Sequence, residues 1–378
     1  MWNLLLVVST VLAQSTPQLC AREGEVIASE EYHIAILGNT RPLDVKSDPV
    51  AGRVGPSVGI TKKLLEDIQN DEPNCVVFVG DMVRNGSKKE WKGFEKNQLS
   101  LLGNIPYQPV MGDLESLKDD KYLNTEAVFP DMGTDIGYNR VGSWQYFDID
   151  TGGKVYRMMI LDGNKSILKS RWNEQLAWIE ETIQGKYDGM FVFIHLPWYN
   201  LAGMAPKMNP DEAPEEILTH LEENMDLMKL QGVFFGGGHA NQVILPNGNF
   251  GVAHIGVGGG GAPAEDLYLY QPGAEHNMTK RIELEKNFKD VLLKEINRWN
   301  GQSPLSAATM DKAMNTGTYK GFPGLIEGRE FPIQGWWELS LKGNEIRAEY
   351  HHYYQNDTVS VIYAMDYING RGWIGYPR

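Results

Sequence analysis

Five short apolar runs in this chain each stop abruptly at a polar residue, and that repetition narrows what the chain can fold into. Tyr32–Leu37 leads to Gly38-Asn39-Thr40-Arg41, Cys75–Val79 to Gly80-Asp81, and Pro109–Met111 to Gly112-Asp113-Leu114-Glu115. Further along, Met190–Ile194 runs into His195, and Val233–Phe235 into Gly236-Gly237-Gly238-His239-Ala240-Asn241. In all but the His195 loop a glycine precedes the polar residue, so the backbone can turn sharply and aim a side chain across the sheet edge. Strand-end loops gather distant carboxylates and imidazoles, which is how α/β folds build metal and phosphate sites.

Helix-like stretches alternate with these runs, the pattern of an α/β domain. Helices are predicted at Val58–Ile68, Ser87–Leu101, Trp172–Ile183 and Pro214–Leu230. Further strands are predicted at Trp144–Ile149, Val155–Leu161, Gln242–Leu245 and Phe250–Val257. From Ala262 to Pro332 the alternation lapses around one amphipathic helix, Thr279–Trp299, which reads either as a functional insertion or lid or as a passive packing element. Trp336–Met365 then alternates with the period of half-buried antiparallel strands.

With 378 residues, 42% hydrophobic and 22% charged, the chain can bury a large core without a disulfide framework. A net charge of −14 with no basic cluster argues against a nucleic-acid backbone as partner. Residues 1–13 read as a secretory signal peptide, with an apolar core Leu4–Leu12 too short to span a bilayer, although no Lys or Arg precedes it. Residues 14–30 form an N-terminal segment, and 31–378 one domain with no later membrane span. A secreted or periplasmic location would place the two cysteines, Cys20 and Cys75, in an oxidising compartment, either bridged or with Cys75 a buried thiol. The sequons at Asn85, Asn164, Asn277 and Asn356 occur at about the chance level.

In order, spacing and strand context, the five loops resemble the calcineurin-like metallophosphoesterases, which include the purple acid phosphatases. The resemblance covers roughly Tyr32–Gly261, with the C-terminal strands fitting the family's second sheet. It implies a four-layer α/β/β/α sandwich of two mixed β-sheets flanked by helices. The family carries Asp-x-His, Gly-Asp, Gly-Asn-His-Asp/Glu, His and Gly-His-x-His in this order, and binds two divalent metals.

Departures from that pattern fall on one metal. Asn39 and Arg41 stand where the family has Asp and His, and Asn241 replaces the final His. Arg cannot ligate, because its guanidinium stays protonated. The resemblance leaves Asp81, Asp113, His195 and His239 to hold one ion of Zn, Mn or Fe, or none if the site is fully degenerate. Leu114 replaces the histidine held to protonate the leaving group.

Arg41 reads either as a phosphate clamp, aided by Asn39 and Asn241, or as a salt-bridge partner of Asp81 or Asp113. Glu115 reads as an orienting group behind the site or as a surface charge, and His195 and His239 as ligands or as hydrogen-bonded strand-end residues. The expected function is hydrolysis of a small phosphate mono- or diester. The alternative is an inactive scaffold that binds a ligand or protein.

Other signals are weaker. Gly256–Gly261 meets a dinucleotide pattern but lacks a clear following helix, so no organic cofactor is expected; close passage of backbone beneath the site explains it better. His351 and His352 are adjacent on a strand and point to opposite faces, so they cannot share an ion. His33 and His254 read as core or edge residues. Trp198, Tyr199, Tyr122 and Phe129 are candidates for the wall of a pocket or for ordinary packing.

Overall fold

A computed structural model describes residues 18–41, 58–119, 123–128, 143–197, 215–225, 229–237, 241–244, 252–261, 334–354, 357–368 and 372–377. The predicted signal segment (1–13), the predicted insertion (262–332), His239, Trp198, Tyr199, Tyr122 and Phe129 lie outside these residues, as do the sequons at Asn277 and Asn356.

Two seven-stranded mixed sheets lie face to face, flanked by helices. Strands β1 (Val26–Ser29), β5 (Gln145–Thr151), β6 (Lys154–Leu161), β7 (Gly189–Ile194), β8 (Leu230–Phe235), β9 (Asn241–Ile244) and β10 (Ala253–Val257) form the first, in the order β1-β5-β6-β7-β8-β10-β9. The second sheet takes β2 (Tyr32–Leu37), β3 (Cys75–Val79), β4 (Tyr107–Val110), β11 (Gly335–Lys342), β12 (Glu345–Tyr353), β13 (Val359–Ile368) and β14 (Gly372–Pro377). Its order is β14-β13-β12-β11-β2-β3-β4. β2, β3 and β4 run parallel, as do β6, β7, β8 and β10, so both sheets offer C-terminal strand ends.

Alternation along the strands explains the layering. Val77 and Val79 of β3 face inward to join Phe191, Phe193, Phe234 and Trp337 between the sheets. Val76 and Phe78, on the other face of β3, pack outward beneath α1 (Val58–Asp71) and α2 (Lys88–Asn97), against Leu64, Leu65, Trp91 and Phe94. On the far side, α4 (Arg171–Thr182) and α5 (Glu215–Asn224) cover Met190, Val192 and Val233. A strand covered on both faces has no polar side to show, hence the unbroken apolar runs. Each large side chain so buried contributes about 1.5–3 kcal/mol.

Three expectations need adjustment. The helix predicted to reach Leu230 is described only over Glu215–Asn224, and Leu230 opens β8, because its apolar run pairs with β7. Gln98 departs from helical geometry at φ −121°, so α2 ends at Asn97 and a separate 3-10 turn covers Leu99–Leu101. β1 and β14 were not foreseen; β1 is a short edge strand with no fully buried residue. Cys20 and Cys75 form a disulfide that ties the N-terminal segment to β3. Among the described residues, no helix is long and apolar enough to cross a membrane.

Candidate metal centre at the strand ends

The loops after β2 and β3 continue the parallel pairing of their strands for a few residues. Asn39 N–H donates to Gly80 O at 3.0 Å and Arg41 N–H to Asp81 O at 2.9 Å. Both loops turn through the left-handed region, with φ of +55° at Asn39, +74° at Gly80 and +54° at Asp81. Asn and Asp are the side-chain residues that tolerate this conformation best. Gly80 has a second reason to be glycine, since a Cβ there would overlap the His195 ring.

These turns bury Asp81 and split its carboxylate between two surroundings. Oδ2 accepts Arg41 Nη1 at 2.7 Å, and Oδ1 lies 3.4 Å from His195 Nε2. The same Nε2 lies 3.4 Å from Asp113 Oδ1. Asp113 opens the short helix α3 (Asp113–Ser116), and its side chain keeps 61% of its surface, so the cluster is reached from solvent on that side. His195 Nδ1 is 2.9 Å from Val79 O. A carbonyl can only accept, so Nδ1 carries the proton and Nε2 is left facing the two carboxylates.

This donor set suits a divalent cation. Two ligands on a tetrahedral ion with bonds of roughly 2.0–2.1 Å stand about 3.3 Å apart, the spacing found from Nε2 to each carboxylate oxygen. A histidine whose other ring nitrogen is fixed by a carbonyl is the usual arrangement for a metal ligand. Burial, followed by repulsion from Asp113, pushes Asp81 up to about 7. Burial also works against a charged His195, but Asp81 and Asp113 outweigh it and raise the imidazole to about 9.

Behind the cluster, Glu115 is fully buried. Its Oε2 accepts the backbone N–H groups of Asp81 (2.9 Å) and Gly112 (2.8 Å), and its Oε1 those of Met82 (2.7 Å) and Val83 (3.1 Å). One carboxylate thus fixes both the loop that carries Asp81 and the turn that presents Asp113.

Asn39 and Asn241 are engaged within the fold. Asn39 Nδ2 donates to Gly236 O at 2.7 Å and Gly258 O at 3.3 Å, and Asn241 Nδ2 donates to the Tyr350 hydroxyl at 2.9 Å. Asn39 could give an N–H to phosphate only by breaking one of these bonds, so its place is that of a strut between the sheets. The glycine run after β10 passes close to it, with Gly260 N–H donating to Gly38 O at 2.9 Å.

Sequence reasoning missed Asp162 and Asn164. Both are buried, and Asn164 Nδ2 donates to Gly112 O at 3.1 Å and to Asp162 Oδ1 at 2.9 Å. Asn164 therefore braces the Asp113 turn from the first sheet. Its place just after β6, a parallel strand, was the available signal.

No family model matches the sequence, and no curated protein does. Solved structures do match in shape. A purple acid phosphatase from yellow lupin (Lupinus luteus), PPD1, superposes with a TM-score of 0.53 at 14% identity, over 93% of this chain and 55% of its own. PhoD gives 0.56 at 9% identity, over 94% of this chain and 72% of its own. This chain has the calcineurin-like metallophosphoesterase fold. GAP50, described as the anchor in the inner membrane complex of Plasmodium, gives 0.50 at 12% identity, over 91% of this chain and 90% of its own. The chain spans only about half the length of the lupin phosphatase, and at these identities the likeness concerns the fold alone.

Proposed function

We propose that this metallophosphoesterase-fold chain is an exported hydrolase of small phosphate mono- or diesters that works with a single divalent cation, Zn, Mn or Fe. The observation that carries the reading is the divided carboxylate of Asp81. Its Oδ1 lies at ligand spacing from His195 Nε2, which stands equally far from Asp113, while its Oδ2 is held by a guanidinium in place of a second ion. Asp81, Asp113 and His195, with His239, would hold the cation. When bound, the cation would supply Lewis-acid polarisation of a phosphoryl oxygen and an acidified water.

The remaining work falls to the chain's own residues. Arg41 provides a buried, permanent positive charge that can offer N–H groups to phosphate oxygens. Glu115 holds the backbone of the ligand loops in place. Leu114 can give no proton, so the reading favours esters whose leaving alcohol departs unprotonated. The Cys20–Cys75 disulfide supports export, since such bridges persist in oxidising compartments.

A second reading, a scaffold that binds a ligand or protein without turnover, is favoured by the Arg41–Asp81 ion pair, which needs no ligand to satisfy it. The fold does serve an anchor protein in Plasmodium. Metal-supplemented protein assayed on aryl phosphate mono- and diesters beside an Asp81→Ala control separates the two readings. Turnover well above the control supports the hydrolase, and a rate equal to the control supports the scaffold.

A further inference from the structure

On the outer face of the second sheet, away from the strand ends, a separate group of histidine and carboxylate side chains meets the C-terminal end of α1. Glu338 of β11 is its centre. Its Oε1 is held by His33 Nδ1 at 2.5 Å and by Ser340 Oγ at 3.2 Å. Its Oε2 turns instead toward His351 Nε2, 3.4 Å away. Asp71, the last residue of α1, brings a carboxylate oxygen into the same space, and the donor atoms of Asp71, Glu338 and His351 all lie within 4.8 Å of one another.

Two observations set this group apart from a chance cluster. His351 is 92% buried, being 8% exposed, and its Nε2 makes no hydrogen bond to a described residue although it points at the cluster. The ring is also held in place, stacked on Trp336 with centroids 3.7 Å apart and planes 23° from parallel. Trp336 in turn donates Nε1–H to Asp67 of α1 at 2.9 Å. His352 is held elsewhere, with Nδ1 3.1 Å from Gln334 O, so only His351 serves the group.

The spacing from Nε2 to Oε2 is that found at the strand-end site, and it matches about 3.3 Å between neighbouring ligands on a tetrahedral ion. Glu338 is oriented by His33 and Ser340 through one oxygen, which leaves the other to ligate. Asp71 is exposed, so an ion would enter from its side.

We propose that Asp71, Glu338 and His351 form a second divalent-cation site, suited by its one nitrogen and two oxygen donors to Zn2+, which staples the end of α1 to the sheet. Binding there is distinct from the strand-end chemistry, because the ligands come from α1, β11 and β12 and none is shared. It contributes stability to the folded chain, since an ion bound by the folded state alone raises its stability with concentration.

The test counts zinc in the full chain carrying Asp81→Ala, which disables the strand-end site, after dialysis against Zn2+ in modest excess. One equivalent should remain, and the Tm should climb with zinc concentration. Both effects should vanish when Glu338→Gln or His351→Phe is added, the phenyl ring preserving the stack on Trp336. No zinc uptake by the Asp81→Ala chain, or uptake unchanged by the added substitutions, overturns the proposal. If Asp81→Ala does not fold, wild type is compared with Glu338→Gln: one equivalent fewer in the variant supports the site, and equal counts overturn it.

Discussion

Arg41 Nη1 sits 2.7 Å from Asp81 Oδ2, and this contact decides how the rest of the strand-end cluster is arranged. With one carboxylate oxygen taken by a fixed cation, only the other is presented to His195. Asp81 thus joins a guanidinium to one candidate ligand position. Both groups are buried, so removing either breaks a buried ion pair from one side.

Arg41→Ala should therefore cost about 3–5 kcal/mol in denaturant unfolding of the metal-free protein, the usual penalty for breaking a buried pair from one side. Arg41→Lys should cost less while still weakening binding of phosphate, because a single ammonium cannot reproduce the fork of N–H groups.

Glu115→Gln should damage the site without touching a ligand. The amide keeps one acceptor oxygen but turns an NH2 toward backbone donors that now meet Glu115 oxygens. A fall of about 10–100-fold in cation affinity is expected, measured by competition with a chelating dye. The Glu115→Asp variant should not rescue it, since the shorter side chain cannot reach all four donors.

Leaving-group chemistry offers a test that needs no substitution. With Leu114 where a proton donor is expected, rates across a series of substituted aryl phosphoesters should fall steeply as the pKa of the departing phenol rises. A flat dependence would mean that another group donates the proton.

The disulfide closes a loop between residues 55 apart, so Cys20→Ser with Cys75→Ser should lower stability by about 4 kcal/mol in the chain-entropy picture. Urea unfolding of the two forms checks this, and wild type in strong reductant should move toward the variant.

Much of this arrangement was legible in the residues. Tyr32–Leu37 and Cys75–Val79 are strands over the very ranges expected, because a strand apolar on both faces leaves an unbroken hydrophobic run. The meeting of Asp81, Asp113 and His195 was implied by the resemblance of their strand-end loops to the metallophosphoesterase motifs. What the residues did not show was how the side chains around the cluster are engaged. Glu115 was legible as an orienting group behind the site, with a surface charge as the alternative, but nothing in its spacing shows four backbone N–H groups converging on it. Asn39 and Asn241 were expected to meet phosphate, but their amides close contacts between segments some 200 and 100 residues away, which no local pattern reports. Asn164 looked only like a glycosylation sequon, yet its side chain is buried against the Asp113 turn.

The arrangement of cations around Asp81 is open to direct observation by anomalous X-ray diffraction from crystals grown with zinc or manganese and recorded at the metal's absorption edge. One peak is expected at the strand ends, within roughly 2.0–2.2 Å of Asp81 Oδ1 and Asp113 and at bonding distance from His195 Nε2, with Arg41 still on Oδ2. Two peaks at the strand ends with Arg41 displaced, or none there at saturating metal, would contradict this.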